Sequence, residues 1–237
     1  MDPLNLIKII AASVTVIFAL AAGFIELRLN PKNWLNRWFA LFFITGAMGF
    51  FLYTLYHALP LSNFEQDQLT IIPIMITAQL FFNLIPLCLV MTVFVLEKYQ
   101  KIAMNITHLG IIGLLFIVMS TGYFIPPLTP RLDAEAYAMR LINTETPALL
   151  QYPVNILRMI LAAYVVVRYA LISRKVENET RKRVQWFFGG VIIIIIGLIF
   201  NLIGGTFNVA LIETLIELVA LLLLDIGFLA IVKGFLI

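Results

Sequence analysis

Long apolar stretches recur from one end of this chain to the other and restrict its fold more than any other feature. A helix that crosses a bilayer needs about 20 mostly apolar residues, and lipid cannot hydrogen-bond an unpaired backbone amide, so each stretch must be helical. Hydrophobic residues make up 62% of the sequence and charged residues only 12%, which excludes a water-soluble fold. The predicted spans are residues 4–25, 34–58, 69–96, 103–125, 152–172, 184–205 and 208–232. We therefore predict an all-α fold, with residues 1–237 forming one bundle of seven transmembrane helices.

The distribution of basic residues orients the predicted bundle. With the N-terminus outside, only Lys8, Arg131, Arg140 and Arg158 fall outside or in the outer half of the membrane. The other basic residues fall on the inner side: Arg28, Lys32, Arg37, Lys98, Lys101, Arg168, Arg174, Lys175, Arg181, Lys182, Arg183 and Lys233. This is the asymmetry of the positive-inside rule. It predicts an outer N-terminus and a cytoplasmic C-terminus, in a multi-pass protein surrounded by the lipid of the plasma membrane.

Ionisable residues at bilayer depth are the main candidates for a functional site, because each costs at least about 2.5–3.5 kcal/mol to insert. Span seven carries Glu213 and Glu217, which are four residues apart and so share a helix face. Arg158 in span five and Asn201 in span six lie at a similar depth. We predict that Arg158, Asn201 and Glu217 form a polar cluster, with Glu213 at its mouth.

Two interpretations of this cluster stay open. It is either a small-ligand or proton site open to the outside, or a structural ion pair that fixes helix register. In the structural case Arg158 extends its charged end towards the interface. Asp225, in the inner half of span seven, has no partner that the sequence identifies.

Other polar and small residues are expected to join helices. Gln79 and Asn83 of span three are four apart, and interhelical hydrogen bonds of this kind contribute about 0.6 kcal/mol on average. Gly190, Gly197 and Gly204 recur every seven residues in span six, forming a stripe at which helix backbones approach closely. The stripe packs either within the bundle or against a second copy or a partner protein.

The longest connection, residues 126–151, contains a candidate surface element. Its segment 131–140 has the pattern of a short amphipathic helix at the outer surface. It is either a lid over an external pocket or a plain connector.

Several chemistries lack the residues that they require. A retinal Schiff base needs a lysine in mid-membrane, whereas the lysines here lie near span ends or in loops. His57 and His108 are predicted at opposite membrane surfaces, so they cannot share a metal ion. Zinc-protease, nucleophile-elbow and phosphate-loop motifs do not occur. We predict no enzymatic activity, no cofactor or metal, and no nucleic-acid partner.

Two basic motifs resemble a known family. The link between spans one and two reads Asn30-Pro31-Lys32-Asn33 and continues into Asn36-Arg37-Trp38-Phe39, and span six is entered through Arg181-Lys182-Arg183. Both resemble the N-terminal seven-transmembrane sensor region of membrane histidine kinases, as do the helix count, orientation and size. The resemblance implies a receptor-like module over residues 1–232. The kinase domain that follows such regions is not in this sequence, so the module is expected to signal through a partner.

The leading functional hypothesis is a membrane sensor module. It binds a small or lipid-soluble ligand near Arg158, Asn201, Glu213 and Glu217 and passes a helix displacement inward. One alternative is a small proton-coupled transporter that uses Glu217 as its titrating group. Another is a non-catalytic subunit of a larger membrane complex, docked through the stripe at Gly190, Gly197 and Gly204.

Overall fold

The computed structural model describes residues 3–97, 106–174, 178–204 and 210–236; within these ranges the side chains of some helical residues, Asn201, Gly204 and Glu213 among them, are not described. Eight α-helices lie in these ranges: α1 (Pro3–Leu29), α2 (Trp34–His57), α3 (Phe64–Glu97), α4 (Ile106–Thr121), α5 (Ala134–Ala138), α6 (Ala148–Ser173), α7 (Asn178–Gly204) and α8 (Ala210–Leu236). A 3₁₀ turn at Gly122–Phe124 follows α4, and the two-residue strands β1 (Arg131–Leu132) and β2 (Thr144–Glu145) flank α5. The predicted all-α fold class is confirmed.

Six of the helices are long and apolar enough to cross a membrane, as an integral membrane protein requires: α1, α2, α3, α4 with its 3₁₀ turn, α6 and α8. Within the described side chains, α7 is apolar over the shorter stretch Gln185–Phe200, so the seventh span stays a prediction. Exposed Ile10, Ile17 and Phe24 repeat at seven-residue spacing along α1 and give it an apolar outer face. The predicted boundaries at residues 103, 205 and 208 lie outside the described residues.

The first and last long helices are neighbours in the bundle. α1 packs against both α2 and α8, α2 packs against α3, and α6 lies between α3 and α7. Aromatic rings join α2 to α8: those of Phe42, Phe43 and Phe228 pack edge to face with centroids 4.9–5.9 Å apart. This is a geometry that aromatic quadrupoles favour. Residues more than 180 positions apart in sequence therefore share one core.

The glycine stripe of α7 packs within the chain at the two positions that can be assessed. A Cβ atom added at Gly190 would lie 2.6 Å from the Gly227 carbonyl oxygen, and one at Gly197 would lie 3.1 Å from the Ala220 carbonyl oxygen. α8 therefore covers this part of the face, as the intramolecular interpretation expects. The structure describes the backbone of Gly204 as the end of α7 but not its surroundings.

The turn between α1 and α2 is built by the residues of the Asn-Pro motif. The Asn33 side chain caps α2 by accepting a hydrogen bond of 2.9 Å from the Leu35 amide, satisfying one of the unpaired amides at the helix start. Arg37 donates to the Pro31 carbonyl at 2.7 Å and stacks on Trp34. Asn33 and Arg37 of the motif thus have local structural roles in the turn.

The connection between the 3₁₀ turn and α6, residues 125–147, folds back over one end of the bundle, and we call it the cap. The helix within it is shorter than the predicted segment 131–140, because Arg131 and Leu132 pair antiparallel with Glu145 and Thr144. The Asp133 side chain caps the helix by accepting hydrogen bonds from the backbone amides of Glu135 and Ala136. Buried Leu132, Ala136 and Ile142 fasten the cap to the bundle.

Candidate functional site

A cavity of about 230 Å³ lies beneath the cap, between the ends of the long helices. We call it the chamber. Its polar lining comes from α1, α2, α3, α6, α8 and the cap: Lys8, Tyr53, Tyr56, His57, Gln79, Asn143, Thr144, Thr146, Gln151, Asn155, Arg158 and Glu217. Its apolar lining comes mainly from α2, α3, α7 and α8: Phe50, Phe82, Ile85, Pro86, Ile142, Ile194, Gly197, Leu198, Ala220, Leu221, Leu224 and Phe228. Small-molecule sites are usually apolar cavities with a few polar groups, whereas polar and apolar residues line this chamber in equal number.

One wall of the chamber carries an ion pair between the first and last helices. Lys8 Nζ lies 2.8 Å from Glu217 Oε2, and the lysine side chain is only 3% exposed. Tyr53 donates its hydroxyl to the other carboxylate oxygen of Glu217. Lys8 also donates to the Asn143 side chain in the cap, at 3.0 Å. The pair therefore joins α1, α2, α8 and the cap in one network.

A second wall of the chamber carries Arg158, which three amide side chains hold. We call these four residues the Arg158 cluster: Arg158, Gln79, Asn83 and Asn155. The guanidinium donates to Asn83 Oδ1 from Nε at 3.0 Å and from Nη2 at 2.6 Å. It also donates to Gln79 Oε1 at 2.9 Å and to Asn155 Oδ1 at 3.0 Å. Every one of these acceptors is neutral, and no salt bridge to Arg158 occurs among the described side chains.

The amide groups of the cluster differ in what their nitrogen atoms do. Asn83 Nδ2 donates to the Met119 carbonyl at 3.0 Å and to the Ser120 hydroxyl at 3.2 Å, so Asn83 is fully engaged. Gln79 and Asn155 turn their oxygen atoms towards Arg158, which leaves their NH₂ groups as donors. Both of these residues line the chamber.

The structure separates the predicted cluster into two walls. Arg158 and Glu217 both line the chamber, but each has a partner other than the predicted one: neutral amides for Arg158 and Lys8 for Glu217. The predicted pairing of these two side chains is therefore not found. The Asn201 and Glu213 side chains lie outside the described residues.

An aromatic group closes the chamber on the side of α2. The His57 ring lies 4.2 Å from the Tyr53 ring and 4.3 Å from the Tyr56 ring, centroid to centroid. His57 is buried, and its Nδ1 lies 2.9 Å from the Tyr53 carbonyl oxygen. The histidine thus belongs to the wall that contains Lys8 and Glu217.

Hydrogen bonds hold the cap over the chamber. Asn5 of α1 donates to the Arg140 carbonyl at 3.1 Å and accepts from the Ile142 amide at 3.3 Å. Tyr137 of α5 donates its hydroxyl to Asp67 at the start of α3, at 2.6 Å. This bond to a carboxylate raises the pKa of the Tyr137 hydroxyl above its ordinary value. Arg140, with φ at 63°, turns the chain back towards the bundle.

Two other buried acids lie away from the chamber. Asp225 of α8 is buried, and its Oδ1 has no hydrogen-bond partner among the described residues. Glu26, near the other end of α1, accepts a hydrogen bond of 3.1 Å from Asn36 of α2. Glu26 therefore joins α1 to α2, while Asp225 stays without an identified partner among the described residues.

The sequence did not single out several residues of the site. Lys8 lies at the same end of the bundle as Glu217, so a search for opposite charges at equal depth could have found it. Gln79 and Asn83 were expected only to join helices, although they are placed where Arg158 needs acceptors. Asn143 carried no signal, because its place depends on how the cap folds.

Comparison with protein-family models, with curated proteins and with solved structures finds no match for this chain.

Proposed function

We propose that this protein is a receptor-like membrane sensor that binds a small ligand in the chamber and signals through a partner protein. The observation that carries the proposal is the chamber, whose two charged walls belong to different helices. Arg158 is on α6 and Glu217 is on α8. A ligand that contacts both walls changes the position of one helix relative to the other, which is the differential contact that a conformational switch needs.

The bundle has a route by which such a displacement reaches its other end. α8 packs backbone to backbone along α7 at Gly190 and Gly197, so these two helices move together. Arg168, further along α6 from Arg158, pairs with Glu97 at the end of α3. We propose that ligand binding moves α6, α7 and α8 against α3 and alters the surface at the end opposite the cap.

The proposed topology has seven spans, with the cap outside the cell and the Asn-Pro turn inside. The positive-inside distribution supports it, and it places the proposed ligand site on the external side of the plasma membrane. The resemblance to the sensor region of membrane histidine kinases supports the same arrangement, with the signalling partner in or at the cytoplasmic side.

Purification from the native membrane in mild detergent, followed by mass spectrometry, tests the need for a partner. We expect a stoichiometric partner, retained by an Arg158→Gln variant because Arg158 lies at the chamber and not at the opposite end. A pure homo-oligomer with no partner contradicts the proposal. A chain that loses its fold when the partner is removed favours the subunit alternative instead, whereas a sensor stays folded alone.

A second candidate, a proton-coupled transporter, is favoured by one observation: Glu217 is a carboxylate that lines a cavity within the bundle. Flux of protons across liposomes that contain only this chain separates the two functions. We expect no flux above that of empty liposomes. Flux that Glu217→Gln abolishes and Glu135→Gln, a change of an exposed acid in the cap, preserves would replace the sensor by the transporter.

A further inference from the structure

The described walls of the chamber contain one more positive charge than negative charge. Lys8 and Glu217 lie 2.8 Å apart and neutralise each other. Arg158 is only 8% exposed and has neutral acceptors alone among the described residues. A buried charge without an opposite charge is expensive, so an anion in the chamber would lower the free energy of this arrangement.

The donors around Arg158 fit a carboxylate. A guanidinium has five N–H donors, and the hydrogen bonds to Asn83, Gln79 and Asn155 use those of Nε and Nη2 and one of Nη1. The second N–H of Nη1 is left for a carboxylate oxygen, to which a charged donor binds strongly. The NH₂ groups of Gln79 and Asn155, whose oxygen atoms accept from Arg158, have no acceptor among the described residues. Together these groups can surround one small anionic head group with hydrogen-bond donors.

The rest of the chamber fits a short apolar body. Phe50, Phe82 and Phe228, with Leu224, line it next to the polar walls. The volume of about 230 Å³ exceeds the roughly 150 Å³ of a cavity that holds benzene and is below the roughly 300–1,000 Å³ of pockets for drug-sized ligands. The ligand must therefore be small and carry a hydrocarbon or aromatic portion.

We propose that the chamber binds a small amphiphilic monocarboxylate, with its carboxylate on the Arg158 cluster and its apolar part against the phenylalanines. This inference rests on the proposed function, for which it supplies the ligand class. The same chemistry is offered by a water-soluble acid and by a fatty acid released from the bilayer.

Equilibrium binding of radiolabelled octanoate to the complete chain in lipid nanodiscs, with empty nanodiscs subtracted, tests the proposal. We expect saturable binding of one octanoate per chain. Octan-1-ol, which has the same tail without the charge, should compete at least tenfold less well. Stronger competition by butyrate than by unlabelled octanoate identifies a soluble acid as the source, and weaker competition identifies a short fatty acid that enters from the bilayer.

Arg158→Gln should weaken octanoate binding at least tenfold, whereas the matched change Arg131→Gln, at an exposed cap arginine, should leave it unchanged. If Arg158→Gln does not fold, Leu224→Trp keeps the cluster and fills the apolar part, and it should abolish binding. The absence of saturable binding, equal competition by octan-1-ol, or unchanged binding in a folded Arg158→Gln variant overturns the proposal. Because binding is measured without a partner or a flux, a negative result here leaves the sensor function to its own tests.

Discussion

At the scale of single residues, the chamber is defined by two buried cations with different surroundings. Lys8 has a carboxylate partner in Glu217, while Arg158 has amide oxygen atoms. Removing one member of a buried ion pair is strongly destabilising, because the other charge is left uncompensated. The two walls should therefore respond differently to substitution.

The Lys8–Glu217 pair gives a first prediction. Lys8→Met should lower the free energy of unfolding by about 3 kcal/mol, since Glu217 then stays buried without its cation. The double variant Lys8→Met/Glu217→Gln should recover most of that loss, because glutamine can still accept from Tyr53. Chemical unfolding in detergent measures both, with Lys32→Met at an exposed lysine as control. Equal losses in the single and double variants would show that the pair does not stabilise the fold.

A second prediction concerns the bond between Tyr137 and Asp67. The hydrogen bond to the carboxylate raises the pKa of Tyr137 in the folded protein, so its stabilising effect is complete below the ordinary tyrosine pKa of about 10. The effect disappears as the pH rises through the folded pKa. Tyr137→Phe should therefore melt at a lower temperature than the unaltered chain at pH 8, and the difference should shrink towards pH 11. A difference independent of pH contradicts this account.

At the scale of helices, the contact between α7 and α8 depends on the absence of side chains. A Cβ atom at Gly190 would meet the Gly227 carbonyl oxygen at 2.6 Å, whereas nothing lies within 4 Å of one at the preceding Gly189. Adjacent glycines in one helix thus have opposite surroundings, and they provide a matched pair of positions.

The third prediction uses that pair. Gly190→Ala should destabilise the protein by about 1–3 kcal/mol, the usual effect of overpacking. Gly189→Ala should be neutral or stabilise by up to about 0.5–1 kcal/mol, because alanine favours the helix over glycine. Unfolding curves of the two variants give the comparison. Similar destabilisation by both would mean that an effect common to the two positions, such as contact with lipid, and not the α7–α8 contact, determines the result.

Helix positions followed from hydropathy, and so did the ends of α2, but the start of α3 did not. α3 begins at Phe64, five residues before the predicted start, because Asn63 accepts hydrogen bonds from the Glu65 and Gln66 amides. A polar first turn stabilised by a side-chain cap is invisible to a search for apolar residues. The glycine spacing in α7 did predict a close helix contact, although it could not identify α8 as the neighbour.

At the scale of the whole molecule, the sequence predicted which site residues lie at the same level of the bundle. It did not predict how each helix is rotated about its own axis. Counting residues from the helix ends placed Arg158 and Glu217 at one level, and both do line one chamber. Which neighbour each side chain faces depends on how every helix turns about its axis, and that is decided by packing across the bundle. This is why Arg158 meets Asn83 of α3 and Glu217 meets Lys8 of α1.

The proposed topology gives a fourth prediction. In a background in which buried Cys88 is replaced by serine, a cysteine at exposed Glu135 in the cap should react in intact cells with a membrane-impermeant maleimide. A cysteine at exposed Lys32, in the turn between α1 and α2, should react only after the membrane is opened. Labelling of both in intact cells, or the reverse pattern, would contradict an outer cap and an inner turn.

The pairing of Lys8 with Glu217 also sets an order of events during synthesis. The ribosome makes Lys8 with the first helix and Glu217 with the last, so at about 5–20 residues per second the lysine waits roughly 10–40 s for its carboxylate. During that interval Lys8 is without the carboxylate that it pairs with in the folded structure. The chamber can therefore form only after α8 has been made and packed against α1, although most of the helices that line it are synthesised earlier.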